Sequence, residues 1–115
     1  MIELTVPCKT ESPNVTRRMH YRQIMRIKDE WTWYLKIAKS EVDQKIFDNS
    51  IPFKNVHFIL HRKRFLDTDN KWGSVKDALD CIKNLKWITD DKEKDIHLEV
   101  EQVKSKTDFT VIKLS

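Results

Sequence analysis

The sequence is poor in the residues that build disulfide frameworks and glycine-rich binding loops. Its 115 residues include one glycine, three prolines and two cysteines. Cys8 and Cys81 form neither a framework nor a metal-binding spacing, and we expect both to be reduced thiols. One glycine cannot supply a phosphate-cradling loop. No apolar run is long enough to cross a membrane and no signal peptide is visible, so we expect a cytoplasmic protein.

Charged residues are abundant and unevenly distributed. They make up 35% of the chain, with a formal net charge of +4. As far as Arg64, thirteen Lys or Arg accompany seven Asp or Glu, whereas beyond it nine accompany eleven. This asymmetry favours a phosphate-binding surface beside a carboxylate cluster. The length and the 39% of hydrophobic residues predict a single domain over 1–115, small enough for dimerisation to complete its core.

The apolar pattern predicts an α+β domain of order βαβαββ, with two helices packed on a small mixed sheet. Strands are predicted at 1–6, 56–64, 96–103 and 109–114, the last two as a hairpin. A long helix is predicted over 20–47. A second helix is predicted from apolar residues with the three-and-four spacing of one buried stripe; they are Val75, Ala78, Leu79, Ile82 and Leu85.

Two tryptophans of the long predicted helix have different expected environments. Trp31 belongs to the apolar stripe that faces the core. Trp33 is two residues further on and cannot share that face. We therefore expect Trp33 at an edge of the domain or against a partner subunit.

Acidic residues flank the second predicted helix on both sides. Asp67 and Asp69 follow the strand 56–64 and, being two positions apart, lie on one side of an extended chain. Asp90 and Asp91 follow the helix in a polar turn. The two pairs meet if the helix folds back, and clustered carboxylates then favour a hard divalent cation such as Mg²⁺. Lys76 lies early in the helix, from where it reaches towards this cluster or a bound phosphate.

Structural roles also explain these acidic residues. An aspartate just before a helix commonly caps it and complements the helix dipole. Ser74, with Asp77 three residues later, is a capping-box pattern that would begin the second helix. The pair Asp90 and Asp91 is typical of a solvated turn.

Two basic segments are candidate phosphate contacts. The first, 17–28, holds five Lys or Arg and no acid. The second, 61–64, holds three Lys or Arg and ends two residues short of Asp67. The alternatives are a solvated helix face for the first and an edge-strand guard against aggregation for the second. The predicted nucleic-acid contacts are Arg17, Arg18, His20, Arg22, Arg62, Lys63, Arg64 and Asn70.

The order of these residues resembles the RusA-type Holliday-junction resolvases of bacteria and their phages. The resemblance covers about a quarter of the chain closely. Its motifs are D-x-D-N (Asp67, Asp69, Asn70), a helical lysine (Lys76), a leucine-aspartate pair (Leu79, Asp80) and the double aspartate (Asp90, Asp91). The chain departs from the family at Lys71, where an apolar residue is usual, and at Asn84-Leu85, where Ala-Gly is usual. The second departure bears on the geometry of the turn before Asp90.

The resemblance implies a Mg²⁺-dependent endonuclease, with Mn²⁺ as a substitute, that resolves four-way DNA junctions in recombination and repair. Paired symmetric cuts require two sites, and hence a homodimer. The implied catalytic residues are Asp67, Asp69, Lys76 and Asp91. The implied metal ligands are Asp67, Asp69, Asp90 and Asp91. No organic cofactor and no membrane partner is expected, and the expected location is the cytoplasm of a bacterial or phage-infected cell.

Two other functions stay open on the residues alone. One is a non-catalytic basic module that binds DNA or junctions and whose carboxylates cap a helix. It predicts salt-sensitive DNA binding without cleavage. The other is a small interaction protein without affinity for DNA.

Overall fold

Four strands and four helices form the described part of the chain, which comprises residues 2–42, 52–90, 92 and 94–115 of a computed structural model. The strands are β1 (Ile2–Val6), β2 (Asn55–Arg62), β3 (His97–Lys104) and β4 (Phe109–Leu114). The helices are α1 (Pro13–Thr16), α2 (Tyr21–Ser40), α3 (Thr68–Ser74) and α4 (Lys76–Asn84). The α+β class is confirmed. Where the order βαβαββ has one helix, the described chain has two: α1 and α2 between β1 and β2, and α3 and α4 between β2 and β3. Within the described ranges, no helix has the length and apolar character that a membrane span requires.

The four strands form one mixed sheet in the order β1-β4-β2-β3. β2 and β3 run parallel, in a register from Asn55↔His97 to Arg62↔Lys104. β4 is antiparallel to both β1 and β2. The predicted hairpin is therefore wrong, because β3 and β4 are not neighbours. A parallel pair needs a long crossover, which α3 and α4 supply between β2 and β3.

The burial patterns of the last two strands explain their places in the sheet. β4 buries Thr110, Val111 and Ile112 in succession, as a strand with neighbours on both sides can. β3 exposes Glu99 and Glu101 on its outer face, and charged side chains suit a strand at the edge of a sheet.

The helices cover one face of the sheet and enclose a single core. Alternate residues of β2 point inwards, and Val56, Phe58 and Leu60 are each 0% exposed. They pack in one cluster with Trp31 and the other inward residues of α2 and α4. Because fully buried aliphatic and aromatic side chains each contribute about 1.5–3 kcal/mol, this cluster dominates the stability of the domain. The core position predicted for Trp31 is confirmed.

Local hydrogen bonds determine where α2 begins. The Nδ1 atom of His20 accepts from the backbone N–H of Arg22 at 3.1 Å, and the side chain of Gln23 accepts from the N–H of His20 at 3.2 Å. This reciprocal pair satisfies two of the free N–H groups at the helix start. α2 ends at Ser40 and does not run on to Phe47, and residues 43–51 lie outside the described part of the chain.

α3 and α4 are separated by a break at Val75, which caps α4 without a side-chain hydrogen bond. The Ser74 hydroxyl donates to the carbonyl of Lys71 at 2.8 Å. The predicted capping box between Ser74 and Asp77 is therefore wrong. A Cβ atom on Gly73 would lie 2.6 Å from Cγ of Pro13, so glycine at this position permits the close approach of α1 to α3.

Candidate functional site

The segment carrying Asp67 is held against the sheet by the side chain of Gln102. Its Oε1 accepts from the N–H of Leu66 at 2.7 Å, and its Nε2 donates to the carbonyl of Leu66 at 3.0 Å. The carbonyl of Asp67 then accepts from the N–H of Lys71 at 2.8 Å, which begins α3. The start of α3 is thereby fixed beside the carboxyl ends of β2 and β3.

The carboxylates of Asp67 and Asp69 are exposed at this position. Asp67 occupies the N-cap of α3, yet its side chain makes no capping hydrogen bond. Neither carboxylate forms an ion pair with any residue in the described ranges. Helix capping therefore does not account for the side chain of Asp67. Both groups remain available to a ligand.

Asp90 lies at the other end of the sheet. Three residues before it, the carbonyl of Trp87 accepts from the N–H of Phe53, just ahead of β2, at 2.8 Å. Asp67 follows Leu66, which is held by Gln102, and Gln102 pairs with Leu60 in the sheet. The distance from Phe53 to Leu60 is about 23 Å along an extended chain. Asp90 therefore does not join Asp67 in one site, contrary to the prediction for this residue.

The carboxylate of Asp90 has cationic neighbours. Its Oδ1 lies 3.5 Å from Nζ of Lys83, and its Oδ2 lies 3.9 Å from Nζ of Lys92. Such pairs are typical of a solvated turn after a helix, the structural alternative for this segment. Asp91, the other predicted ligand there, lies outside the described residues.

Lys76 is the first residue of α4 and lines a cleft of about 520 Å³, whose other lining residues belong to α1, α2, α3 and α4 and to the loops beside α1. Arg17 lines the same cleft from the α1 side, so two predicted phosphate contacts from distant parts of the sequence meet there. On the cleft wall, Nζ of Lys28 lies 3.3 Å from Asp80 and 3.9 Å from Asp77. Lys28 thus pairs with two of the three acidic residues that line the cleft, the third being Glu11. Lys76 and Arg17 form no ion pair within the described ranges.

The basic segment before α2 is displayed on the surface. Arg17, Arg18 and Arg22 are exposed and have no carboxylate partner in the part of the chain that the structure describes. His20 is also exposed, although its Nδ1 atom is used in capping α2. An exposed run of unpaired arginines fits contact with a phosphate backbone.

The second basic segment is divided between the interior and the surface. Lys63 and Arg64 are exposed, whereas Arg62 is only 6% exposed. The guanidinium of Arg62 donates to the carbonyl and the hydroxyl of Thr10 and to the carbonyl of Arg64. Arg62 is therefore largely buried and held by these groups, whereas Lys63 and Arg64 are displayed on the surface. The edge-guard alternative is wrong, since β2 has a neighbour on each side.

The burial of Arg62 has a signal in the sequence. Val56, Phe58 and Leu60 face inwards, and Arg62 is the next residue in that alternation. Two other residues near this segment carry no local signal. Asp108 accepts from the N–H of Lys63 at 2.8 Å, and Lys9 lies 4.0 Å from Asp108. Because these contacts join distant parts of the chain, sequence reasoning missed Lys9 and Asp108.

The two thiols are unsuited to nucleophilic catalysis. Both cysteines are free, as predicted. Burial raises the pKa of Cys8 to about 11, with the charge of Glu30 adding to the effect. Burial also raises the pKa of Cys81, whose Sγ donates to the carbonyl of Lys28 at 3.3 Å. Since the thiolate is the nucleophile, the chemistry of the site has to come from its oxygen and nitrogen groups.

The described residues contain no complete metal site. No group of three or more His, Cys, Asp or Glu side chains within them is arranged to hold a metal ion. Asp67 and Asp69 can therefore supply at most part of a coordination shell, which water and substrate oxygens would complete. Mg²⁺ commonly keeps several waters and binds through one or two carboxylates, so the two side chains fit such a site.

Comparison of the sequence with protein-family models finds no match, and comparison with curated proteins finds none either.

Proposed function

We propose that the protein is a metal-dependent endonuclease that cuts branched DNA. The observation that carries this proposal is the state of Asp67 and Asp69. Both carboxylates are exposed and form no ion pair with the described residues, and Asp67 caps α3 without a side-chain bond. Asp67 is the N-cap of α3 and Asp69 lies in its first turn, and exposed carboxylates that converge repel unless a cation lies between them. Their oxygens suit Mg²⁺ or Mn²⁺.

Each side chain has a role in this proposal. Asp67 and Asp69 would hold the cation, which would polarise the scissile phosphate and activate water. Lys76 offsets the negative charge that develops on the phosphate in the transition state. Arg17, which lines the same cleft as Lys76, holds a neighbouring phosphate. Asp90 has no part in the site, because it belongs to the opposite end of β2.

The distribution of charge supports DNA as the substrate. Arg18 and Arg22 belong to the same basic segment as Arg17. Both are exposed and lie outside the lining of the cleft. Cationic side chains that replace counterions on phosphates supply most of the sequence-independent affinity for DNA. The host compartment in this proposal is the cytoplasm of a bacterial or phage-infected cell.

A non-catalytic DNA- or junction-binding module is the second candidate. The separation of Asp90 from Asp67 favours it, since the double aspartate was the expected completion of the metal site. In this function the exposed arginines Arg17, Arg18 and Arg22 bind the junction and Asp67 contributes nothing.

Incubation with a four-way junction in magnesium, followed by electrophoresis under denaturing conditions, separates these functions. The endonuclease gives paired symmetric cuts that leave 5′ phosphates, and chelation of the metal stops them. The binding module shifts the junction at low salt and cuts at no metal concentration. A protein that does neither contradicts both functions and favours the small interaction protein.

We further propose that the active species is a twofold dimer formed through the outer face of α2. Trp33 is 64% exposed and Met25 is 48% exposed on this face, and large exposed aromatic side chains are enriched at the centres of interfaces. Two symmetric cuts require two sites. The sequence already predicted that Trp33 lies at an edge or against a partner.

Trp33→Ala is expected to weaken the dimer by roughly 30-fold, since truncating a central interface tryptophan typically costs about 2 kcal/mol. Light scattering after size exclusion across a concentration series measures the change. Phe65→Ala is the matched control, because Phe65 is a similarly exposed aromatic residue (55%) far from α2 in the sequence. An unchanged mass profile for Trp33→Ala would remove α2 from the interface.

A further inference from the structure

A second basic pocket lies where β1 and β2 end and β4 begins. It encloses about 320 Å³ and is lined by Lys9, Arg62, Lys63, Arg64 and Asp108. Four cationic side chains and a single carboxylate give it a formal excess of three positive charges. A concave site with so large an excess of one sign concentrates its field on a bound counter-ion. We call it the Arg62 pocket.

The guanidinium of Arg62 forms the rigid part of this pocket. Its Nε donates to the carbonyl of Arg64 at 3.0 Å, and its Nη1 donates to the carbonyl and hydroxyl of Thr10. Nη2 makes no hydrogen bond to the described residues. Those residues include no fully buried side-chain nitrogen without a partner, so Nη2 retains some exposure to solvent. A guanidinium fixed in this way presents a donor without losing further side-chain entropy.

Asp108 is the one carboxylate among the residues that line the pocket. Its Oδ1 accepts from the backbone N–H of Lys63 at 2.8 Å, and its Oδ2 lies 4.0 Å from Nζ of Lys9. The N–H of Lys63 lowers the pKa of Asp108, and the charges of Lys9 and Arg62 lower it further. The carboxylate is therefore ionised at neutral pH and holds two sides of the pocket together.

We propose that the Arg62 pocket binds one phosphate group. A tetrahedral oxyanion has enough acceptor sites for the Arg62 guanidinium and the Lys9, Lys63 and Arg64 side chains at once. Its negative charge compensates part of the excess of the pocket. The free Nη2 of Arg62 is the donor around which the anion is oriented.

The source of the phosphate follows from the position of the pocket. Lys63 and Arg64 are joined to Asp67 by only two further residues, so the pocket and the exposed carboxylates lie at the same end of β2. A DNA strand anchored in the pocket by one backbone phosphate can place a nearby phosphodiester at Asp67 and Asp69. This assignment to DNA rests on the proposed function; the phosphate chemistry of the pocket does not. A free phosphate ion is the other source with the same chemistry.

Titration of the amide NMR spectrum with inorganic phosphate, at constant ionic strength set by chloride, tests the pocket directly. We expect saturable shifts of the amides of Thr10, Lys63 and Arg64. Because a charge-assisted hydrogen bond is lost, Lys9→Ala and Arg64→Ala should each weaken binding about tenfold. Asp108→Asn keeps an acceptor for the N–H of Lys63 and removes the negative charge, so it should bind phosphate several-fold more tightly.

Lys54→Ala is the matched control. It removes the same charge from an exposed lysine just before the other end of β2 and should leave phosphate binding unchanged. Phosphate shifts no larger than those given by chloride would overturn the proposal. Equal weakening by Lys54→Ala and Lys9→Ala would also overturn it, because the effect would then come from the overall charge.

Binding of duplex DNA across a salt series distinguishes the two sources of phosphate. If the pocket holds a DNA phosphate, Lys9→Ala lowers the slope of log K against log salt by about 1 relative to Lys54→Ala. An unchanged slope, with inorganic phosphate still bound, overturns the assignment to DNA. Junction cleavage by a protein whose pocket binds no phosphate contradicts this inference alone. Phosphate binding by a protein that cuts no DNA contradicts the proposed endonuclease alone.

Discussion

Asp67→Asn is expected to abolish cleavage of a four-way junction in magnesium while leaving junction binding intact or tighter. Asparagine keeps the shape of the side chain but removes the charge that holds the cation. Loss of one group that stabilises the transition state typically costs at least about 10²-fold in rate, and loss of the metal removes the activated water as well. Affinity is kept or improved because a negative charge beside the phosphates disappears.

Asp90→Asn is the matched control for this substitution. It makes the same chemical change in a residue that pairs with Lys83 and Lys92 at the other end of β2. Single-turnover cleavage by Asp90→Asn should stay within a few-fold of the unsubstituted protein. Normal cleavage by Asp67→Asn would exclude the metal assignment, and strong inactivation by Asp90→Asn would contradict the separation of the two acidic segments.

Phe58→Ala is expected to lower the free energy of unfolding by about 3–5 kcal/mol. Phe58 is 0% exposed in the middle of β2, between Val100 of β3 and Ile112 of β4. Its removal leaves a cavity where the sheet meets the helices. Since small domains are typically stable by about 5–15 kcal/mol, this one substitution removes much of the margin.

Urea unfolding followed by tryptophan fluorescence measures the loss. Phe65→Ala is the control, since that side chain is 55% exposed and Nζ of Lys104 lies 5.4 Å from the centre of its ring; it should cost less than about 1 kcal/mol. Phe58→Leu, expected to cost about 1.5 kcal/mol or less, covers the case in which Phe58→Ala does not fold. Equal costs for Phe58→Ala and Phe65→Ala would contradict the position of the core.

The elements of this fold were predictable because each follows from the spacing of apolar residues. Val56, Phe58 and Leu60 alternate, which locates β2, and Val75, Ala78 and Leu79 follow a helical period. The pairing of strands has no such local signal. The hairpin prediction failed because β4 pairs with β1 and β2, and that choice depends on residues far away in the sequence.

The candidate site was predictable in part for the same reason. The exposure of Asp67 and Asp69 follows from their position at the end of a strand. Whether Asp90 lies near them depends on the direction of β3 relative to β2. Because β2 and β3 run parallel, the start of β3 and the end of β2 lie at opposite ends of the strands. The sequence pattern does not give that direction. Lys9 and Asp108 likewise reach the Arg62 pocket through contacts between residues that are far apart in the sequence.

The place of β4 between β1 and β2 has a consequence for biosynthesis. β1 leaves the ribosome first, but its hydrogen-bonding partner is β4, which is translated about a hundred residues later. β2 and β3 can associate earlier through α3 and α4, whereas β1 must wait with its backbone groups unmatched. Contacts so remote in sequence slow folding. A nascent chain halted before Phe109 should therefore remain sensitive to protease, and resistance should appear only once β4 has emerged.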